Sequence, residues 1–367
     1  MPVKKNLFRS PGFALYRLPW ARHCQLVLQT AGEVERSTRA ADVIGRPGFV
    51  MAPFHPSDAH PTLSIRPDVT AIGWEKIVQV AEGLTWRESA PSCSVPSLPP
   101  PDCQEAERAR YERVCACFIA SLREGRFDKL VLSRASVTDA PEGFSPLDVF
   151  RRACAAYPRM MIYLCHTPWT GTWLGCTPEI LLSGRGCGWH TVALAGTQPM
   201  QGESLPTHWD GKNREEQAFV ADYIRRVIRS QGGTLVEEQG PYTARAGQVA
   251  HLKTDFHFRL PHLSAYRPML EALHPTPAVC GLPKDEALRF ILEQEGYDRS
   301  YYSGFVGRTD TGGQTDLYVN LRCMETDGKR IRFYAGGGIL PQSDVRSEWE
   351  ETEEKMDTLR RILVNDL

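Results

Sequence analysis

Carboxylates at helical spacing are the residues of this chain best suited to chemistry. Glu216 precedes aromatic and aliphatic residues at steps of three, four and seven, so one helix face would hold it among apolar side chains. Glu348, Glu351 and Lys355 form a second ladder at steps of three and four. Two helices that each direct a carboxylate inward suit Mg²⁺, which combines protein carboxylates with water and substrate oxygens. Ion pairs along a solvated helix would have the same spacing, so both interpretations stay open on this pattern alone.

Two further stretches contain candidate ligand-binding residues. The glycines from Gly336 to Gly338 follow an apolar strand candidate, and backbone N–H groups without side chains beside them can approach a ligand or form an anion nest. A tight turn or bulge would have the same composition. Arg322 lies within the apolar run LYVNLRCME, where a buried guanidinium would want a carboxylate partner. At the edge of a strand it would reach solvent instead.

A mixed set of strands and helices must position these residues. Apolar patterning predicts strands at KLVLSRASV, MIYLCH, GTWLGC, ILLSG, HTVALAG, LYVNLRCME and RIRFYAG. Helical periodicity predicts helices at EEQAFVADYIRRVIRSQ, DEALRFILEQ and SEWEETEEKMDTLRRIL. Another helix is expected to run from a capping box at Asp102 and Glu105 to a point near Gly125. Long β meanders interrupted by helices predict an α+β fold rather than strict alternation.

A proline-rich segment from Pro91 to Cys103 is the predicted linker, because its prolines forbid a helix interior and a central strand alike. It separates an N-terminal portion, residues 1–95, from a catalytic core, residues 104–367. The N-terminal portion contains strand candidates and no recognisable catalytic motif. We therefore expect it to complete a sheet of the core and to form one structural unit with it.

Composition limits the classes of partner. The 367 residues are 42% hydrophobic, which is enough for one large core or two modest ones. Lys and Arg number 43 and Asp and Glu number 44, so no net field would hold the chain on nucleic acid or an anionic membrane. The first residues lack the apolar run of a secretory signal, and no segment reaches the roughly 18 apolar residues of a membrane span. We expect a cytoplasmic protein that binds neither nucleic acid nor membrane.

Ten motifs, taken in order, resemble one family, the chorismate-utilising enzymes. This family comprises isochorismate synthases, salicylate synthases and the large components of anthranilate and aminodeoxychorismate synthases. The resemblance covers about Glu105 to the C-terminus, and the motifs are FDKLVLSRA, GCTPEILL, VALAGTQP, KNREEQAFV, VAHLKTDF, LHPTPAVCGLPKDEAL, YDRSYYSGFVG, YVNLRC, YAGGGILPQSD and SEWEETEEKM. It implies chorismate as substrate and the family's fold, in which large antiparallel-rich sheets form a two-layered core with helices outside.

The resemblance also implies roles for particular residues. Lys129 occupies the position of the lysine that activates water in isochorismate and salicylate synthases, where ammonia-using anthranilate synthases usually have glutamine. Glu179 matches the general acid that protonates the departing C4 hydroxyl of chorismate. Ala278 stands where isochorismate synthases typically have alanine, pyruvate-releasing enzymes usually have threonine, and aminodeoxychorismate synthases often have lysine. Tyr302 matches a position where tyrosine and phenylalanine both occur, so it does not discriminate.

A magnesium site is implied by the same matches. Glu216 and Glu351 correspond to the family's metal ligands, and Glu348 is close enough in the chain to hold a metal-bound water. Asn213 is a departure, because some relatives have an acidic residue three positions before the first metal glutamate, and the outer coordination shell is expected to differ. The residues that match substrate-binding positions are Arg322, Tyr302, Gly336 and Lys355 for the carboxylates and Gly196 for the backbone beside the reacting ring.

These matches favour a Mg²⁺-dependent isochorismate synthase, an isomerase in which water adds at C2 of chorismate and the C4 hydroxyl leaves. The nearest alternative is a salicylate synthase. An anthranilate or aminodeoxychorismate synthase component would need an amidotransferase, and a noncatalytic relative would have lost the chemistry. We expect no obligatory amidotransferase partner and a monomer, with a homodimer as the alternative. The product could serve menaquinone or siderophore synthesis.

Overall fold

The computed structural model describes two large sheets within residues 6–84, 97–200, 202, 204–247, 249–310 and 312–363. Strands are numbered in chain order, and the pairings within both sheets are antiparallel. From edge to edge the first sheet contains β14 (Gly281–Leu282), β7 (Lys129–Asp139), β18 (Arg330–Ile339), β17 (Cys323–Thr326), β9 (Gly171–Thr177), β8 (Met161–Thr167), β1 (Gly12–Arg17), β2 (Gln25–Gln29) and β6 (Val69–Ile72). The second contains β12 (Thr234–Ala246), β13 (Val249–Arg259), β11 (Gly188–Pro199), β10 (Ile180–Arg185), β16 (Thr315–Val319), β15 (Phe305–Thr309), β4 (Gly48–Ala52), β5 (Thr62–Ile65) and β3 (Glu35–Ser37).

Helices connect these strands and cover the sheets. Within the described ranges the α-helices are α1 (Ala40–Val43), α2 (Trp74–Gly83), α3 (Gln104–Arg123), α4 (Pro146–Ala156), α5 (Gly211–Ser230), α6 (Tyr266–Leu273), α7 (Lys284–Gln294) and α8 (Val345–Leu363). A 3₁₀ turn at Leu263–Ala265 leads into α6. No helix in this part of the chain is long and apolar enough to cross a membrane.

The hydrophobic core is divided into layers. Side chains from both sheets meet between them, among them Tyr163 of β8, Phe49 of β4 and Tyr318 of β16. On the other face of the first sheet, Phe150 of α4 and Met356 of α8 join a second apolar cluster. Helices α5 and α6 pack against the second sheet in the same way. The predicted fold is confirmed: an α+β structure whose antiparallel sheets form a two-layered core with helices outside.

The N-terminal portion contributes strands to both sheets. β1 pairs with β8 in the first sheet, and β4 pairs with β15 in the second. Residues 91–96 of the predicted linker lie outside the described residues, and beyond them the N–H of the buried Leu98 donates to Asp327 at 2.9 Å. From these pairings we propose that residues 1–95 complete the sheets of the core, while the domain boundaries themselves stay a prediction.

Two of the places where the chain passes from one sheet to the other lie side by side, between β9 and β10 and between β16 and β17. The prediction of a single strand over LYVNLRCME was wrong, because β16 ends at Val319 in the second sheet whereas β17 belongs to the first. Arg322 lies in this crossing with a positive φ of 47°. Glu179 lies in the other crossing, between β9 and β10. Backbone bonds join the two, since Cys176 N–H donates to the Arg322 carbonyl at 3.0 Å and Val319 N–H donates to the Glu179 carbonyl at 2.9 Å.

The helix after the linker begins differently from the prediction. No side chain caps α3 at Cys103, and the carboxylate of Asp102 instead accepts a hydrogen bond from Arg110 at 2.7 Å. Asp102 and Glu105 therefore do not form a capping box, because the ion pair occupies the aspartate. The far end of the helix agrees with the prediction, since Gly125 follows it with a left-handed φ of 72°.

Candidate active site

A buried cavity collects most of the residues that the sequence indicated. Strands β7, β11, β13 and β18 and the helices α5 and α8 contribute to its wall. The wall includes Glu179, Gly196, Glu216, Ala278, Tyr302, Arg322, Gly336 and Lys355. The remaining predicted residues, Lys129, Glu348 and Glu351, do not line the cavity, but each approaches Gly337 or Gly338 of its wall.

The glycines of β18 leave room for the three glutamates of the predicted metal site. They continue the strand in register with β7, so they form neither an anion nest nor a tight turn. A Cβ on Gly337 would lie 3.2 Å from Glu351 Oε1 and 3.3 Å from Glu348 Oε2. A Cβ on Gly338 would overlap Oε1 of Glu216. Larger side chains at these positions would displace the carboxylates, which explains the run of glycine.

Lys129 and Glu216 form a buried ion pair. Lys129 begins β7 and is fully buried, and its Nζ lies 3.0 Å from Oε1 of Glu216. The geometry of this contact is that of an ion pair only, and Nζ forms no hydrogen bond with the described residues. Burial alone would raise the pKa of the Glu216 carboxyl, but the charges of Lys129, Lys212 and Lys355 outweigh burial and hold that pKa below its usual range. Glu216 is therefore ionised, and an amine stands beside a carboxylate at the cavity wall.

Two more lysines neutralise the glutamates of α8. Lys355 Nζ donates to Glu351 Oε1 at 2.6 Å and to the Gly336 carbonyl at 2.8 Å. Lys212, in the first turn of α5, donates to Oε1 of Glu348. Burial, followed by the charge of Glu351, raises the pKa of Glu348 to about 7, and its Oε2 has no hydrogen-bond partner among the described residues. The ladder seen in the sequence is therefore a buried charge cluster rather than a row of solvated pairs.

Glu179 is a buried acid that keeps its proton. Its side chain lines the cavity at 2% exposure, and Oε1 has no hydrogen-bond partner in the described part of the chain. Burial raises the pKa of Glu179 to about 8, against the opposing charges of Lys129, Arg322 and Lys355. The carboxyl group is therefore protonated at neutral pH, as a general acid must be.

Arg322 is buried, which agrees with one of the two alternatives left open by the sequence, but its partner is a histidine and not a carboxylate. Its Nη2 donates to His251 Nε2 at 2.6 Å, and its Nη1 donates to the Ala246 carbonyl at 3.2 Å. His251 Nδ1 in turn donates to the Gly196 carbonyl at 2.8 Å. Burial, followed by the charge of Arg322, holds the pKa of His251 well below its usual range. The histidine is therefore neutral, and the charge of the guanidinium stays available for an anion.

Three supporting residues escaped the sequence analysis. His251 lies in VAHLKTDF, where a histidine among apolar strand residues was the only available signal. Gln217 follows Glu216, a predicted metal ligand, and bonds to the backbone of β11: it accepts from Ala195 N–H at 2.9 Å and donates to the Ala193 carbonyl at 3.1 Å. Lys212 precedes the apolar stripe of α5, and nothing in its spacing separates it from a solvated lysine.

Asn213 connects α5 to β11. Its Oδ1 accepts from Thr197 N–H at 2.8 Å, and its Nδ2 donates to Asp210 Oδ1 at 2.9 Å. Asp210 also caps the helix by accepting from the N–H of Asn213 at 2.8 Å. A Cβ on Gly196, whose φ is +73°, would lie 3.1 Å from Asn213 Oδ1. The amide therefore shapes the strand beside the cavity, which gives it a structural reason to differ from an acidic residue.

Aromatic rings and a small side chain form another part of the wall. Tyr302 is buried and stacks on Tyr334, with ring centroids 5.3 Å apart and planes 9° from parallel. Tyr334 stacks in turn on Trp173 at 5.3 Å. A Cβ on Gly336 would lie 3.0 Å from the Tyr302 hydroxyl. Ala278 contributes only a methyl group, so the wall has a fixed shape and no hydroxyl at that position.

The carboxylate cluster fits a hard divalent cation. Its donors are oxygen atoms, the ligands that Mg²⁺ prefers, and Glu348 Oε2 is a buried oxygen without a partner among the described residues. Within the described ranges no three Glu, Asp, His or Cys side chains are arranged so that they could hold a metal ion by themselves. Mg²⁺ usually keeps several waters and also takes oxygens from its substrate. The residues present therefore suit an ion held jointly by protein, water and substrate.

Comparison with known proteins assigns the family. A family model described as chorismate binding enzyme matches residues 69–364. The chain belongs to the chorismate-binding enzymes. Among them, the salicylate biosynthesis isochorismate synthase of Pseudomonas aeruginosa is 30% identical over 269 residues, which are 71% of this chain and 56% of that protein. Isochorismate synthase DhbC of Bacillus subtilis is 30% identical over 260 residues, 67% of this chain and 65% of that protein. The match thus spans less than two thirds of the length of these curated relatives.

A solved structure shares the fold of this chorismate-binding enzyme. The structure of MenF, the menaquinone-specific isochorismate synthase from Escherichia coli, superposes with a TM-score of 0.75 at 21% identity. The superposition covers 99% of this chain and 91% of that chain. At this level of identity the likeness concerns the fold, and it confirms the architecture expected from the ten motifs.

Proposed function

We propose that this enzyme is a Mg²⁺-dependent isochorismate synthase, an isomerase that adds water at C2 of chorismate and releases the C4 hydroxyl. The observation that carries the proposal is a protonated acid, Glu179, in the cavity wall, together with a buried amine, Lys129, that contacts another wall residue, Glu216. A cluster of three carboxylates beside both groups offers a place for the metal. The two curated relatives described above bear the name isochorismate synthase, which supports this choice within the family.

Glu179 would donate the proton to the leaving hydroxyl. Cleavage of the C4–O bond would otherwise expel hydroxide, a poor leaving group. The pKa of about 8 keeps the proton on Glu179 at neutral pH while leaving it acidic enough to be transferred. General acid catalysis of this kind contributes roughly 10²- to 10⁴-fold to the rate.

Lys129 would act as the base: it would first release the proton that it holds in the ion pair with Glu216 and then accept one from the attacking water. Its fully buried position excludes bulk water from the amine, so the water that reaches it is the one bound in the cavity. The glutamine usual at this place in ammonia-using relatives cannot act as a base. The lysine thus supports water as nucleophile, and we propose that the chain works on chorismate without an amidotransferase partner.

The positively charged side chains of the cavity would bind the substrate carboxylates. Arg322 keeps its charge because its partners are a neutral histidine and a carbonyl, and an arginine can bind a carboxylate through two parallel N–H donors. Lys355 and the hydroxyl of Tyr302 line the same cavity. When bound by Glu216 and Glu351, with Glu348 holding one of its waters, Mg²⁺ would supply charge stabilisation at the ring carboxylate.

Ala278 supports isochorismate as the released product. Expulsion of pyruvate requires the enolpyruvyl group to take a cyclic pose in which it accepts the C2 hydrogen, and a methyl group offers no hydroxyl to hold that pose. A salicylate synthase would make the same intermediate and then carry out this second step. The two functions therefore differ in whether pyruvate appears.

The test is to incubate the purified protein with chorismate and MgCl₂, separate the products by chromatography, and assay pyruvate with a coupled enzyme. We expect isochorismate to accumulate until its ratio to chorismate is constant, because the isomers differ only in the positions of one hydroxyl and of the ring double bonds and should be close in free energy. Stoichiometric pyruvate and salicylate above an enzyme-free control would make the protein a salicylate synthase. Unchanged chorismate would reject both functions.

A further inference from the structure

A lysine outside the proposed catalytic set closes one edge of the carboxylate cluster. Lys212 lies in the first turn of α5, and its Nζ hydrogen-bonds Oε1 of Glu348 in the first turn of α8. The side chain of Lys212 is 24% exposed and that of Glu348 only 1%, so the lysine lies on the solvent side of the pair. Neither of the proposed proton transfers uses Lys212, and it does not line the substrate cavity.

The charge of Lys212 is tied to all three glutamates. Burial would lower the pKa of its ammonium, but the charge of Glu348, followed by those of Glu351 and Glu216, outweighs burial and raises that pKa. The other two lysines of the cluster have proposed roles as base and substrate ligand. Lys212 has neither of these roles, and its remaining effect is to balance the negative charge of the carboxylates. Its charge would therefore influence how these carboxylates bind a metal ion.

The bond from Lys212 also orients its partner. Oε1 of Glu348 is occupied by the lysine, whereas Oε2 has no hydrogen-bond partner in the part of the chain described. Oε2 lies 3.3 Å from the Cβ position of Gly337, which is also 3.2 Å from Glu351 Oε1. The lysine thus holds Glu348 with its free oxygen facing the neighbouring carboxylate, on the side where a cation would be shared.

We propose that Lys212 is a built-in counter-cation: it stabilises the carboxylate cluster when no divalent ion is bound, and it keeps the affinity for Mg²⁺ lower than the glutamates alone would give. The identity of the ion rests on the proposed function. A fixed ammonium a few ångströms from a divalent cation repels it, and a partly buried site screens this repulsion only weakly. Conversely, a buried glutamate that loses its cationic partner destabilises the metal-free protein. Lys212 is accordingly a positioning residue that lowers the affinity for Mg²⁺ and raises the stability of the metal-free enzyme.

The experiment measures Mg²⁺ binding directly, by titration calorimetry with MgCl₂ at one fixed pH for all variants. Lys212→Met removes the charge and Lys212→Arg retains it. Arg346→Met is the matched control, because Arg346 also lies in the first turn of α8 but pairs with the exposed Glu350 at 2.9 Å. Thermal unfolding of each protein is recorded in EDTA and in saturating MgCl₂.

We expect Lys212→Met to bind Mg²⁺ about tenfold more tightly than the wild type. The electrostatic repulsion between a unit charge and a divalent ion a few ångströms away exceeds the free energy that corresponds to a tenfold change in affinity. In EDTA the same variant should unfold at a lower temperature, and MgCl₂ should raise its midpoint by more than it raises that of the wild type. Lys212→Arg and Arg346→Met should keep the wild-type affinity and the wild-type response to MgCl₂.

Equal or weaker Mg²⁺ binding by Lys212→Met, with normal binding by the wild type, would overturn the role of Lys212. Absence of Mg²⁺ binding in the wild type and the control would instead reject the metal of the proposed function, so the two failures are distinct. If Lys212→Met does not fold without metal, Lys212→Gln replaces it, because the amide lacks the charge but can still donate to Glu348. Tighter Mg²⁺ binding is expected of that variant too, and weaker binding would overturn the proposal.

Discussion

Replacing Gly338 with alanine tests whether the glycines of β18 are needed to admit the carboxylates. A Cβ at this position would lie 2.6 Å from Glu216 Cδ and 3.0 Å from Lys129 Cε, and it would overlap Oε1 of Glu216. Carbon atoms pack at about 3.5–4.0 Å, so the carboxylate must move by roughly 1 Å. Gly338 is not among the residues with a positive φ, and alanine therefore adds a contact without backbone strain.

Stability and activity are expected to respond differently to this methyl group. The displaced atoms are the ends of flexible side chains, so the cost in the free energy of unfolding should be about 1 kcal/mol, the low end for overpacking. Catalysis is more sensitive, because displacing an active-site group by about 1 Å can cost roughly 100-fold in rate. We expect turnover to fall about 100-fold and the Mg²⁺ concentration needed for half-maximal activity to rise.

Chromatographic measurement of isochorismate across a series of MgCl₂ concentrations gives both quantities, and circular dichroism gives the unfolding curve. Gly211→Ala is the matched control, since Gly211 begins the helix that carries Glu216 and nothing lies within 4 Å of its Cβ position. The control should keep full activity. If Gly338→Ala turned over chorismate at nearly the wild-type rate with an unchanged Mg²⁺ requirement, the account of the glycine strand would be refuted.

Three further outcomes are expected. Excess chelator should abolish turnover and added MgCl₂ should restore it, whereas full activity in chelator would reject the metal assignment. Because the pKa of Glu179 is raised to about 8, its carboxyl group is protonated at neutral pH and loses its proton at higher pH. Turnover should therefore decline as the pH rises through about 8. Glu179→Gln should lose at least about 100-fold at neutral pH, and retention of a tenth of the rate would require another acid. Asn213→Asp should lower the free energy of unfolding by about 1–3 kcal/mol, because it removes the donor to Asp210 and places a second carboxylate beside it. Denaturant unfolding measures this loss, and adding Asp210→Asn to the same protein should restore most of it. An unchanged unfolding midpoint for Asn213→Asp alone would contradict the assigned bond.

Local sequence patterns were sufficient to predict the structure where residues close in the chain are also close in space. MIYLCH and GTWLGC, expected to form a hairpin, are β8 and β9, paired from Met161 opposite Thr177 to Thr167 opposite Gly171. The spacing of Glu348 and Glu351 placed them on one face of α8, and the structure buries Glu348 there. The cavity also gathers eight of the residues singled out by the resemblance, while their individual roles stay predictions.

Long-range arrangements could not be obtained from local patterns. Apolar content over LYVNLRCME predicts a strand but carries no information on the sheet to which each half belongs, and the break before Arg322 is set by tertiary pairing. The partner of Arg322, His251, is 71 positions away in the chain, so no spacing rule could identify it. The glycines of β18 were ambiguous for the same reason, because the atoms that require their small size belong to α5 and α8.

The crossings at Glu179 and Arg322 have a consequence for binding energetics. Glu179 lies where the chain passes from β9 of the first sheet to β10 of the second, and Arg322 lies where it passes from β16 of the second to β17 of the first. A ligand held by both residues contacts both layers, so its binding stabilises the packed arrangement of the two sheets relative to opened forms that cannot bind it. We expect amide hydrogen exchange in β9 and β16, which belong to different sheets, to slow together when the cavity is filled. A tight inhibitor would thus act as a cross-link between the layers, and a substitution that loosens the core between them would weaken binding without touching the ligand.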